Sequence, residues 1–209
     1  MNMKETVYLA GGGNEHQSAN FDALFLKDLQ SRAISTLVYI PLALKTEQLA
    51  DAERWFNNIF ARENLKIETW TDLKEKSISP SEMALYVGGG NTVQLLTKIR
   101  ESGFDRQLVD FFHAGGVIYG GSAGAIVLGT DIRTAPEARS VQLPSYRGLD
   151  LLNGYSVACH FAGTDEERNT YKRLRTELNT PIIAISELGG VIMEQDKIKI
   201  IDEKEVVIF

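Results

Sequence analysis

Residues 117–125 read Val-Ile-Tyr-Gly-Gly-Ser-Ala-Gly-Ala. The β-forming run Val117 to Tyr119 leads straight into Gly120-Gly121-Ser122-Ala123-Gly124, and helix-compatible residues continue from Ala123 to Leu128. This is the G-x-S-x-G pattern of a nucleophile elbow, in the strand–turn–helix setting that gives it meaning. So tight a turn forces its central residue into a strained backbone conformation. Side chains at the flanking glycines would collide with the neighbouring strand and helix. Ser122 Oγ is thereby lifted above a sheet, at a helix N-terminus that favours developing negative charge. The first expectation is a serine hydrolase.

Working outward, short apolar strands alternate with amphipathic helices. Strands are expected at Thr6 to Ala10, Thr36 to Ile40, Leu65 to Trp70, Ala84 to Val87, Val157 to His160 and Pro181 to Ile185. Helical spacing of apolar residues marks 20–33, 46–62, 92–101, 106–113 and 164–178, the last opened by Thr164 and Glu167 at capping-box spacing. Residues 130–154, with Pro136, Pro144 and Gly148, read as loop. Continuous apolar strands between helices predict an α/β fold, a mainly parallel sheet sandwiched by helices. Three short segments near Val191, Ile198 and Val207, split by 195–197 and 202–204, predict a C-terminal antiparallel meander. No linker-like stretch divides the 209 residues, so residues 1–209 are read as a single domain.

The formal net charge of -6 and the absence of a basic stripe argue against a nucleic-acid partner. Cys159 is the sole cysteine, which precludes an internal disulfide and suits a reducing compartment. The N-terminal apolar run soon meets three glycines, too short for a signal-peptide core, and no stretch is long enough to span a membrane. The expectation is a cytoplasmic protein without a membrane partner; a homodimer through exposed helices would be unremarkable.

A serine nucleophile needs a base, and the histidines are His16, His113 and His160. His113 reads as a helix-end residue beside Phe111 and Phe112, and His16, in the first Gly-rich loop, reads equally as a pocket-lining or a solvated loop residue. His160 ends an apolar strand, at the edge where parallel sheets form their sites, and is the candidate base. The imidazole needs a carboxylate to fix its tautomer. Glu187 follows the strand Pro181 to Ile185 and is preferred; Glu137, in the loop after the elbow helix, is the alternative, and Asp131 a weaker one. The amide of Ala123 is a natural oxyanion donor, and Gly89 or Gly90 of Gly88-Gly89-Gly90-Asn91 could place a second. That loop and Gly11-Gly12-Gly13-Asn14 both lack the third glycine of a dinucleotide fingerprint and any G-K-S/T pair, so no nucleotide is expected. No H-E-x-x-H or paired-cysteine motif exists, so no metal is expected either, and the chemistry calls for no cofactor.

Together, Gly88-Gly89-Gly90-Asn91-Thr92, the elbow at 120–125, Ile132-Arg133-Thr134 and His160-Phe161 resemble the serine peptidase family of peptidase E and cyanophycinase. The resemblance implies a glutamine-amidotransferase-like α/β sandwich, Ser122 as nucleophile and His160 as base. In the peptidase E pattern an aspartate follows the I-R-T segment, where this chain has Glu137. In the cyanophycinase pattern a glutamate ends the strand after the histidine, where Glu187 stands. Peptidase E cleaves dipeptides with an N-terminal aspartate, which an arginine in the helix after the catalytic histidine reads. Arg168 is the nearest counterpart, at a shorter spacing; it reads equally as a solvated helix arginine. Arg168 and Asn91 are thus the candidate substrate-binding residues. The expected activity is hydrolysis of small peptides, with N-terminal aspartate as one substrate class. An esterase or amidase with the same triad, and a non-catalytic small-molecule binder, are the alternatives. An amidotransferase is disfavoured, since relatives with that activity carry cysteine at the elbow.

Overall fold

A computed structural model of the chain describes residues 4–195 and 197–209. Residues 1–3 of the N-terminal segment, and Asp196 in the expected turn at 195–197, lie outside the described residues.

The first half alternates as the sequence predicts: β1 (Thr6–Ala10), α1 (Ala19–Ser31), β2 (Thr36–Ile40), a 3₁₀ turn (Thr46–Gln48), α2 (Leu49–Phe60), β3 (Lys66–Thr69) and β4 (Met83–Val87). Then follow α3 (Thr92–Glu101), α4 (Phe104–His113), β5 (Val117–Gly121) and α5 (Ala123–Leu128). The expected loop at 130–154 contains a 3₁₀ turn (Ile132–Thr134) and the one-turn helix α6 (Pro136–Arg139). Pro136 at the first helical position starts that turn at little cost, because its missing N–H would have had no intrahelical partner. The remainder is β6 (Ser156–Ala158), α7 (Asp165–Leu178), β7 (Ile182–Ile185), β8 (Gly190–Glu194), β9 (Lys197–Ile201) and β10 (Val206–Ile208). Helix α7 opens on the Thr164/Glu167 capping box.

Two sheets form. The larger has the order β3-β2-β4-β5-β1-β8-β9, parallel from β3 to β1 and antiparallel beyond. Side chains alternate across it, as a strand's two-residue period requires. Val7, Leu9, Leu85, Val87 and Ile118 face a core completed by Leu95, Ile99, Leu108 and Phe111 of α3 and α4. Tyr8, Tyr39, Tyr86 and Tyr119 face the other way, onto Phe21 and Phe25 of α1 and Phe56 and Phe60 of α2. That second face is rich in aromatic rings. Tyr39 stacks on Phe56 at 4.1 Å between ring centroids and Tyr86 on Tyr119 at 4.3 Å.

The C-terminal segments pair antiparallel, but not as one meander. β8 and β9 extend the large sheet, whereas β10 crosses to a separate sheet of order β10-β7-β6. Helix α7 covers that small sheet with Tyr171 and Leu174, against Phe161, Ile182 and Ala184. Strand β6 also ends earlier than expected, at Ala158, because Cys159 and His160 leave the ladder. His160 has φ 55°, a left-handed conformation that a strand does not contain.

Candidate active site

The order β4-β5-β1 decides what surrounds the elbow. Parallel strands end at the same edge, so Val87, Gly121 and Ala10 finish side by side, with Val87 paired to Gly120 and Ala10 to Gly121. The two Gly-Gly-Gly-Asn loops therefore emerge on either side of Ser122. Ser122 has φ 51° and ψ −112°, a strained conformation for a residue with a side chain. Its amide is tied to the Ala10 carbonyl at 3.1 Å. The glycine after it is a close approach: a Cβ on Gly124 would overlap the Val87 carbonyl oxygen.

Three side chains stand in line. Ser122 Oγ lies 2.9 Å from His160 Nε2, and His160 Nδ1 lies 3.1 Å from Glu187 Oε1. An ionised carboxylate can only accept, so Nδ1 carries the proton and Nε2 is left to accept from the serine hydroxyl. Hydrogen bonds from His160 and then from Gln17 hold the Glu187 carboxyl below the usual carboxylate range. Gln17 Nε2 donates to Glu187 Oε2 at 3.0 Å, while its own oxygen accepts the Asn14 amide at 2.9 Å. That second bond fixes which way the amide group points. Both His160 and Glu187 are about half exposed, at 50% and 48% of their side chains, so solvent reaches the pair directly.

The first glycine loop threads through this array. The Gly11 carbonyl accepts from the His160 amide at 2.9 Å. Gly12 has φ 100°, and a Cβ there would overlap the imidazole and come within 3.0 Å of Ser122 Cβ. Only glycine satisfies both conditions. The second loop approaches from the other side, where a Cβ on Gly89 would sit 3.2 Å from Ser122 Cβ. Among the described residues, the Gly89 and Gly90 amides donate to no protein acceptor, and the Ala123 amide, in the first turn of α5, has no intrahelical one. A cleft of about 540 Å³ opens between the loops, lined by Gly12, Glu15, Gln17, Trp55, Gly89 and Glu187 among others.

The other candidates are occupied elsewhere. Glu137, the alternative acid, accepts the Thr92 amide at 3.0 Å and caps the start of α3. Asp131 is buried and forms a two-pronged ion pair with Arg133. The Asn91 side chain caps α3 by accepting the Gln94 amide at 2.8 Å. Arg168 donates from Nε to the Gly163 carbonyl at 3.0 Å, and its guanidinium carbon lies 5.4 Å from the centre of the Phe161 ring. His16 is exposed in the first loop, and the exposed His113 ring packs beside Phe112. Cys159 stands behind the elbow with Sγ 3.5 Å from the Ser122 carbonyl oxygen, and burial pushes its thiol pKa up. Among the described residues no group of three or more His, Cys, Asp or Glu side chains is placed to hold a metal ion.

Gly12 and Gln17 are functional positions that the sequence patterns above do not single out. The glycine triplet is the available signal for Gly12, although a triplet alone suggests a phosphate loop as readily. Gln17 carried no signal, since its role depends on a carboxylate 170 positions away.

Residues 7–201 match the model described as peptidase family S51. The chain belongs to peptidase family S51. Among curated relatives, peptidase E of Shewanella denitrificans is 30% identical over 133 residues, covering 60% of this chain and 56% of the relative. Peptidase E of Shewanella amazonensis is 28% identical over 133 residues, with the same shares. The match thus spans a little over half the length of these curated proteins. A crystal structure of a peptidase from an acI-B1 actinobacterium superposes with a TM-score of 0.70 at 17% identity, covering 97% of this chain and 89% of that one. That likeness concerns the fold.

Proposed function

We propose that this S51 protein is a serine peptidase that hydrolyses small peptides through an acyl-enzyme. The observation that carries the reading is the continuous line Ser122 Oγ, His160 Nε2, His160 Nδ1, Glu187 Oε1, with links of 2.9 and 3.1 Å. Ser122 Oγ attacks the scissile carbonyl carbon as His160 Nε2 takes its proton. The carbonyl oxygen becomes an oxyanion held by the amides of Ala123 and of Gly89 or Gly90. His160 returns the proton to the departing amine as the C–N bond breaks. Water then gives a proton to His160 and attacks the acyl carbon, and Ser122 regains its proton as the acid product leaves. Glu187 keeps the imidazole in the required tautomer and stabilises the imidazolium, and Gln17 positions Glu187.

An aspartyl-dipeptide specificity would rest on Arg168, which would first have to leave Gly163 and Phe161. The proposal is therefore for small peptides without a required N-terminal aspartate. The chemistry needs no metal or organic cofactor. A single, half-buried cysteine suits a cytoplasmic setting, and no helix among the described residues is long and apolar enough to cross a membrane.

A dipeptide panel, with Ser122→Ala as control, tests the reading. Turnover that vanishes in the variant is expected. Turnover that persists in the variant, or ester hydrolysis with every peptide left intact, overturns it.

A further inference from the structure

The cleft beside Ser122 has a wall that the triad does not use. Gly12 and Gly89 line it and also lie against Ser122, so the cleft adjoins the nucleophile. Glu15 and Trp55 also line it, joined by a hydrogen bond from Trp55 Nε1 to Glu15 Oε2 at 3.3 Å. Leu44, Ala52 and Tyr39 continue that wall. Leu44 is held in place because Gln94 Nε2 donates to its carbonyl at 2.9 Å and to that of Leu42 at 2.8 Å.

The charges in this lining are all of one sign. Glu15 and Glu187 are its ionisable acids, and no lysine or arginine lines it. The Glu15 carboxyl is held below its usual range, first by a backbone hydrogen bond and next by the indole N–H. An aspartyl carboxylate entering here would meet two carboxylates and no lysine or arginine. A guanidinium or ammonium group would meet a carboxylate and an indole, the aromatic system that attracts cations best. The Trp55–Glu15 bond also ties the indole edge to the carboxylate, so the two groups are presented together.

We propose that Glu15 and Trp55 form a specificity subsite for a basic side chain, arginine or lysine, in the residue next to the scissile bond. The proposal rests on the serine peptidase reading for its biological sense, but its physical content is a binding preference and can be read without turnover.

The test uses the full chain as Ser122→Ala, titrated calorimetrically with arginyl-alanine and alanyl-arginine. The matched citrulline dipeptides, of the same shape without the charge, and aspartyl-alanine complete the set. For one of the two arginine dipeptides, affinity is expected to exceed its citrulline match about 10-fold, the scale of a charge-assisted contact plus a cation–π contact. Aspartyl-alanine is expected to bind more weakly than either. Adding Glu15→Gln is expected to bring the arginine-to-citrulline ratio close to one. A Trp55→Leu substitution should lower the ratio less. Equal affinity for arginine and citrulline dipeptides, preference for the aspartyl dipeptide, or an unchanged ratio in Glu15→Gln would each overturn the subsite. If the preference appears but the wild-type chain cleaves none of these peptides, the subsite stands and the peptidase reading falls. If peptides are cleaved with no charge preference, the reverse holds.

Discussion

At the residue scale the proposed chemistry turns on which atoms touch Ser122. Removing the nucleophile, Ser122→Ala, should reduce kcat by about 10⁴-fold or more, as loss of a triad serine does elsewhere. The urea midpoint should be almost unchanged, because the side chain is small and lies at the surface of the site. Glu187→Gln keeps the shape but not the acceptor that selects the tautomer, and should lower kcat by about 10²- to 10⁴-fold. Glu137→Gln should leave kcat far less affected, since Glu137 accepts from Thr92 and not from His160. Comparable losses in the two glutamate variants would contradict the assignment of the acid. A separate residue sets a pH dependence of stability. Asp22, in the first turn of α1, is buried and accepts from Tyr119 Oη at 2.6 Å and from Ser18 Oγ at 2.7 Å. Burial raises its carboxyl pKa above the ordinary 3.8, against the pull of those two bonds. Between the ordinary and the raised value the native chain holds more protons than the unfolded one. The contribution of Asp22 to stability therefore falls as pH rises through that window. Urea titrations stepped upward from about pH 4 should show this slope in the wild type and lose it in Asp22→Asn. An identical slope in both would refute it.

At the scale of elements, the strand order is what makes two identical tetrapeptides useful. β5 lies between β4 and β1, so loops 77 residues apart in the chain meet over one serine. The alternation of apolar strands and helices, the elbow and the capping box at Thr164 were legible in the sequence, because each is a local pattern of a few residues. The fate of the first glycine loop was not. Its use depends on β1 lying next to β5, a pairing of residues more than a hundred positions apart. The strand expected to carry His160 stops at Ala158 for a similar reason: the His160 amide bonds to Gly11 rather than continuing a ladder. Likewise β10 reads as part of a local meander, yet its partner is β7. Gly12→Ala tests the loop's role. A methyl group there meets the imidazole and needs a left-handed backbone, so kcat should fall by at least about 100-fold, the cost of displacing a catalytic group by an ångström. The far-ultraviolet circular dichroism should be unchanged. Retained activity would show that the loop is farther from His160 than described. Helix α2 gives the packing counterpart. Phe56 is fully buried against Tyr39 and Phe60, and Phe56→Ala should destabilise the chain by about 3–5 kcal/mol in urea unfolding.

At the scale of the whole molecule, the candidate acid joins the two sheets functionally. Ser122 follows β5 in the large sheet, whereas His160 and Glu187 follow β6 and β7 in the small one. The proposed triad therefore requires the small sheet to sit against the edge of the large one, and activity should be lost together with global structure in a urea series. The His160 amide, after β6 of the small sheet, donates to the Gly11 carbonyl, after β1 of the large one, and so ties the two together. Composition carried one further message at this scale. A net charge of -6 and acidic groups at the cleft speak against a polyanionic ligand. What the sequence could not convey is the lining of that cleft, which gathers Glu15, Trp55 and Glu187 from three distant segments.

The central claim is that Ser122 is a nucleophile activated by His160 and Glu187. The most direct measurement is intact-protein mass spectrometry after exposure to a fluorophosphonate, followed by peptide mapping of the adduct. One adduct per chain is predicted, located on Ser122, absent from Ser122→Ala and formed much more slowly in His160→Ala. No adduct on the wild type, or an adduct that forms at the same rate without His160, would contradict the account.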